Sequence, residues 1–237
     1  MNFFGHAWVA AWFSEREPFL LGSMLPDLAN ALRSAVPRSS HDELCAGIRI
    51  HHETDRVFHA TEAFQALEHH ARRTLAAAGL SKGPRRALAH IGVEFLIDDE
   101  LGGHGAPGAR HLALSRYIAA LDFGGSAACR SMLHWSNRFD ADRFALLCSR
   151  LARASSAAPT TASSTGRHFE ADRRLAARLI ACLAGRPRLE LHPREEAALE
   201  PWLAECRPAV AAATPGLLGE LSRGLEAPAP VRPAAAE

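Results

Sequence analysis

The residues best suited to chemistry lie in two stripes of imidazole and carboxylate. His51, Asp55 and His59 recur every four residues in GIRIHHETDRVFH, and His90, Glu94 and Asp98 repeat the spacing in AHIGVEFLIDDEL. Residues four apart share one side of a helix, about 5–6 Å apart between Cβ atoms, so a neighbouring pair can hold one ion. Positions eight apart are separated by roughly 12 Å along the axis, so each helix is expected to yield two ligands rather than three. Mixed His and carboxylate donors suit zinc, manganese or iron. If the stripes face each other, Asp55 and Glu94 are placed to bridge two ions at the ~3.5–4 Å separation of two-metal hydrolases.

The competing explanation is structural. Polar residues four apart also decorate any solvated helix face, where a Glu–His pair contributes only a few tenths of a kcal/mol. Glu94 argues against that, because Ile91, Gly92, Val93, Phe95, Leu96 and Ile97 surround it and a buried carboxylate needs a partner. That partner is either a metal or a structural salt bridge. Whether His51 or the adjacent His52 faces inward is open at this level.

The elements that must position these residues read as helices. MNFFGHAWVAAWF supplies an apolar first helix in which His6 is the one titratable group, an ordinary structural histidine on its residues alone. Pro26 can begin a helix, which puts Asp27 in a first turn that favours negative charge, so helix-start acid and metal ligand are equal readings for it. Ser40 and Glu43 have capping-box spacing ahead of the first stripe, and His41-Asp42 falls in that helix's first turn. Phe64, Leu67, Ala71 and Leu75 continue the helical period to Gly79. Arg85–Leu101 is the second striped helix, and its Gly-rich end at 102–105 lacks the spacing of a phosphate loop. Helices are also expected over 112–121, 139–151, with Ser136 or Asn137 as its cap, 169–183 and 195–203. No useful alternating strand pattern appears, so the fold class is all-α, a helical bundle with a metal site between facing helices.

The 237 residues, 48% of them hydrophobic, are enough for one core, and a single helical domain is expected over 1–226. Residues 154–166 have the composition of a flexible loop, and 227–237 that of a disordered tail. A net charge of +1 announces neither nucleic acid nor membrane as a partner. Five singly spaced cysteines argue against a disulfide framework and fit a reducing compartment. No apolar run approaches the ~18–20 residues of a membrane span, so a soluble, cytoplasmic protein is expected.

With the helices placed, MNFFGHAWVAAW, Gly22-Ser23-Met24-Leu25-Pro26-Asp27, Gly47-Ile48-x-x-His51 with Asp55, and Gly185-Arg186-Pro187-Arg188-Leu189 together resemble the acyl carrier protein phosphodiesterase family. Its members are all-helical and distantly similar to HD-type metal-dependent phosphohydrolases. The motif order runs from the first residue to about Leu221. The resemblance implies an HD-like site holding a divalent metal, manganese first, with zinc, iron or magnesium as alternatives. It also implies hydrolysis of the diester joining 4′-phosphopantetheine to a serine of holo acyl carrier protein, or of another phosphodiester. His6, Asp27, His51 and Asp55 fall on motif positions. His59 stands where better-known members carry aspartate, and Val93-Glu94 stands in place of their Asp-His pair.

The mechanism expected is therefore metal-assisted phosphodiester hydrolysis. His6, Asp27, His51, Asp55, Glu94 and Asp98 are the candidate ligands. His90 or His59 would protonate the leaving alkoxide. Arg49 and Arg56, which equally read as surface arginines, would contact the phosphate. Two other readings stay open: an inactive helical binding or structural protein of the same fold, and a carboxylate-histidine di-iron protein, for which the E-x-x-H spacing is absent.

Overall fold

A computed structural model of the chain describes residues 1–103, 107–135, 141–156 and 164–226. These are predominantly helical, in agreement with the all-α expectation. The elements divide between two compact units.

The first unit comprises Met1–Phe58, Leu101–Ala158 and the chain from Gly219. It contains α1 (Phe3–Ala10), α2 (Glu17–Ala31), most of α3 (Asp42–Ala60), α6 (Pro107–Gly125), α7 (Ala127–Met132) and α8 (Ala141–Ser156). Strands β1 (Arg38–Ser39) and β2 (Leu133–His134) pair antiparallel, with Arg38 opposite His134. Helix α6 packs against α8, α2 and α1. Leu20, Leu21, Met24, Leu25, Leu28, Tyr117, Leu121 and Phe144 are buried between them as one apolar core.

Helix α2 begins earlier than the sequence suggests. Pro18 occupies its first turn and Arg16 its extended N-cap, where a missing N–H costs nothing. Pro26 consequently lies inside the helix and Asp27 well past its first turn, which removes the helix-start role for Asp27. The capping box at Ser40 is also corrected. Glu43 pairs with Arg16 at 2.7 Å, and it is Ser39 that accepts from the His41 N–H at 3.0 Å while donating to the Met132 carbonyl.

Helices α2 and α3 meet at Gly22 and Gly47. A Cβ on Gly47 would run into the Phe19 carbonyl oxygen and stand 2.8 Å from both Gly22 Cα and Ser23 N. Neither helix could approach the other so closely with a side chain at the crossing. The buried stripe of α3, Leu44-Gly47-His51-Thr54-Phe58, then carries His51 one turn beyond that contact.

The second unit comprises His59–Glu100 and Pro159–Leu218. It holds the end of α3, α4 (Glu62–Ala77), most of α5 (Lys82–Gly103), α9 (Ser164–Leu183), α10 (Pro193–Ala197) and most of α11 (Leu199–Gly224). The helical period after the first stripe is interrupted at Thr61, whose hydroxyl accepts from the Phe64 N–H at 3.2 Å and starts α4. Phe64, Leu67, Ala71 and Leu75 form its buried face as expected. Trp202 on α11 is buried and donates its indole N–H to Thr74 at 3.0 Å. Arg207 joins Asp99 at 2.5 Å and Asp172 at 2.6 Å.

Three further expectations change. Residues 154–156 belong to α8 and 164–166 to α9, so both ends of the expected loop are helical, and 157–163 lie outside the described residues. The helix expected over 195–203 is two elements, α10 and α11, and the second continues to Gly224 through Pro208 and Pro215. Ser136, Asn137 and the tail 227–237 lie outside the described residues. All five cysteines are free. No described helix is long and apolar enough to cross a membrane.

Candidate metal centre

Three helices of the first unit bring four candidate ligands together. Helix α1 contributes His6, whose side chain is 1% exposed. Helix α2 contributes Asp27, and α3 contributes His51 and Asp55 one turn apart. The rings of His6 and His51 lie 4.0 Å apart between centroids. His6 Nε2 is 3.2 Å from an Asp55 oxygen and 3.7 Å from an Asp27 oxygen, and His51 Nε2 is 3.6 Å from the other Asp55 oxygen. One ligand atom each from His6, Asp27 and His51 fits within 4.8 Å of the others.

The His51 tautomer is fixed by the backbone. Its Nδ1 lies 2.8 Å from the Ser23 carbonyl oxygen, an atom that can only accept, so Nδ1 carries the proton and Nε2 presents a lone pair toward His6 and Asp55. Metal-ligating histidines are oriented in this way, by a hydrogen bond from the nitrogen facing away from the ion. Pro26 lies inside α2 and cannot donate to the Gly22 carbonyl one turn back, and the Ser23 carbonyl is the next along the chain. Sequence periodicity alone could not single out this carbonyl, because its partner lies 28 residues away.

The protonation states match a cation site. Burial first, and then the neighbouring His6, push the His51 imidazole down to about 3 against the pull of Asp55, so it is neutral at physiological pH. Burial works against ionisation of Asp55, but the hydrogen bond and charge of His6, with His51 beside it, outweigh that and hold its carboxyl at about 2. A neutral imidazole at His51 beside an ionised carboxylate at Asp55 is a pairing that binds a divalent ion. A structural His–Asp pair would need one imidazole at most, whereas here two buried rings converge on one carboxylate.

These values set the sign of a pH dependence. The His51 value in the folded state is about 3 against an ordinary 6.5, so the unfolded chain takes up this proton first as pH falls. Stability from this group is complete above about 6.5 and is lost progressively toward 3. After chelator treatment, the urea midpoint of the first unit is expected to fall over that window, and less steeply in His51→Gln. An equal slope in both proteins would show that His51 is not the group responsible.

The second unit holds a second group. His59 Nε2 and His90 Nε2 approach the same oxygen of Glu94, at 3.2 and 3.3 Å, and the three ligand atoms again lie within 4.8 Å of one another. Burial opposes ionisation of Glu94, yet the positive charge of the chain's N-terminal amine, and after it hydrogen bonds from His59 and His90, hold its carboxyl below the usual range. His90 Nδ1 contacts Glu68 at 3.2 Å. Glu68 was not singled out from the sequence, since beside Arg72 it has the spacing of an ordinary surface pair.

The sequence-derived residues thus sort as follows. His51, not His52, faces inward: His52 is exposed. Asp55 is completed by His6 and Asp27, and Glu94 by His59 and His90, each within its own unit. Asp98 is half-buried and belongs to neither group, as the eight-residue spacing from His90 anticipates. Arg49 and Arg56 are exposed, and Arg56 is engaged by Glu53 on its own helix. Compared with known proteins, the chain matches no family model, no curated protein and no solved structure.

Proposed function

We propose that the chain is a metal-dependent phosphodiesterase whose divalent ion is held by His6, Asp27, His51 and Asp55. The observation that carries this reading is the buried His6–His51 pair facing Asp55, with the His51 proton committed to Ser23. The same four residues fall on motif positions of the acyl carrier protein phosphodiesterases that the sequence resembles. Manganese is the first choice of metal.

A divalent cation bound there polarises a phosphoryl oxygen and brings the pKa of water toward neutrality. The chain's own contribution is to hold that charge in place. His6 and His51 are buried, and the Ser23 carbonyl orients His51, so its Nε2 is pre-set as a nitrogen donor. Asp55, at 37% exposure, lies on the accessible side, where a diester and the attacking water can reach. The substrate class carried by the resemblance is the diester between 4′-phosphopantetheine and a protein serine.

The test is elemental analysis of protein purified without chelators, joined to a phosphodiesterase screen that includes holo acyl carrier protein. Hydrolysis that chelation abolishes and manganese restores is the expected result. Metal bound without turnover on any diester would favour the inactive binding protein instead, a reading that the Val93-Glu94 departure supports.

A further inference from the structure

We infer that His59, His90 and Glu94 form a second, independent metal site, of the two-histidine, one-carboxylate type that takes zinc. This goes beyond the phosphodiesterase reading and does not rest on it.

The first argument is the spacing of the donors. With Zn–N and Zn–O bonds of ~2.0–2.2 Å, two ligand atoms of a tetrahedral site stand roughly 3.3–3.5 Å apart. The His59 Nε2 and His90 Nε2 atoms stand 3.2 and 3.3 Å from Glu94 Oε1. Two edges of the tetrahedron are therefore already set by the side chains, with only small adjustments needed to admit the ion.

The second argument is the support behind the donors. His90 directs Nδ1 at Glu68, 3.2 Å away, and Glu68 is held in turn by Arg72 at 2.7 Å. A carboxylate behind a histidine fixes the tautomer that leaves Nε2 free to ligate and raises its basicity. The His59 and His90 rings stack at 5.0 Å with only 20° between their planes, and Phe64 meets both edge-on. Two imidazoles aimed at one carboxylate oxygen exceed what a salt bridge requires. If both were protonated, two cations would be stacked face to face, a repulsion that a single shared ion removes.

The third argument concerns access. Glu94 is 14% exposed, while His59 and His90 are 34% and 40% exposed. The two histidines therefore reach solvent while the carboxylate behind them is largely covered, which leaves the fourth coordination position to water. Sites that keep such a position open bind water or substrate there, whereas structural zinc sites are closed by four protein ligands.

The test uses the full chain, purified without chelators or a histidine tag, and Zn2+ titrated against a chromophoric competitor. The His51→Gln/Asp55→Asn double variant, which disables the site in the first unit, is expected to retain one equivalent of zinc. Adding Glu94→Gln should remove it, and adding Glu68→Ala should weaken binding ~10–100-fold, as loss of a supporting carboxylate does. Co2+ in place of zinc should give a visible absorption band in the double variant that Glu94→Gln abolishes. Should Glu94→Gln fail to fold by circular dichroism, His90→Gln on the more exposed ring reads the same loss. Absence of zinc from the folded double variant, or zinc affinity unchanged by Glu94→Gln, overturns the proposal. Because none of these readouts is turnover, a negative phosphodiesterase screen leaves them unaffected, and the reverse also holds.

Discussion

Gly47→Ala is expected to lower the melting temperature by roughly 6–12 °C. The estimate follows from where the new methyl group would go. It would meet the Phe19 carbonyl, Gly22 Cα and Ser23 N, all backbone atoms of α2, so no side chain can rotate away and the helices must separate. Overpacking typically costs 1–3 kcal/mol, and an unyielding backbone obstacle places this change near the top, at ~3 kcal/mol. For a chain of this size each kcal/mol corresponds to about 2–4 °C. Gly216→Ala supplies the contrast. It lies in α11 with nothing within 4 Å of an added Cβ, so it should gain the helix propensity of alanine, about 0.5–1 kcal/mol. A thermal melt that ranks the two variants equally would refute the steric account of the α2–α3 crossing.

The same substitution should reach the metal centre. Ser23, whose nitrogen lies beside the added methyl, also supplies the carbonyl that holds His51 Nδ1. Displacing that turn loosens the tautomer control of His51, so Gly47→Ala is expected to bind metal more weakly even below its melting temperature. Fold and site are coupled here through one turn of backbone.

Asp55→Asn is expected to remove the metal from the first unit with little change of shape. Asparagine is nearly isosteric but neutral, and it leaves two imidazoles with only Asp27 to balance a divalent ion. Losing a partner that merely supports a ligand costs 10–100-fold in affinity. Losing an ionised ligand should cost roughly 100-fold or more, with phosphodiesterase activity falling in step. Stability should change far less than for Gly47→Ala, since Asp55 is 37% exposed and water screens its interactions. The discriminating measurements are metal content by elemental analysis and turnover at saturating manganese. Full metal occupancy in Asp55→Asn would dismiss its ligand role and leave the ion to His6, Asp27 and His51.

The sequence by itself determined the helical class, the buried face of α4 and the apolar surroundings of Glu94 on α5. All of these are properties of a single helix, set by 3.6 residues per turn, and need no knowledge of the neighbours. Helix starts were not legible from residue type: Thr61 and Pro18 begin helices that the sequence reading did not start there, whereas Ser40 and Pro26, read as starts, do not begin one.

Tertiary structure alone decided which stripe residues share a site. Asp55 is joined to His6 and Asp27 because glycines at positions 22 and 47 let α2 and α3 approach closely, and His59 is joined to His90 and Glu94 across 35 residues of chain. Helical spacing specifies the face on which a side chain stands, but the groups it meets depend on how separate helices cross. The Ser23 carbonyl and the Glu68 carboxylate illustrate the limit: each gains its role only from a histidine more than twenty residues away.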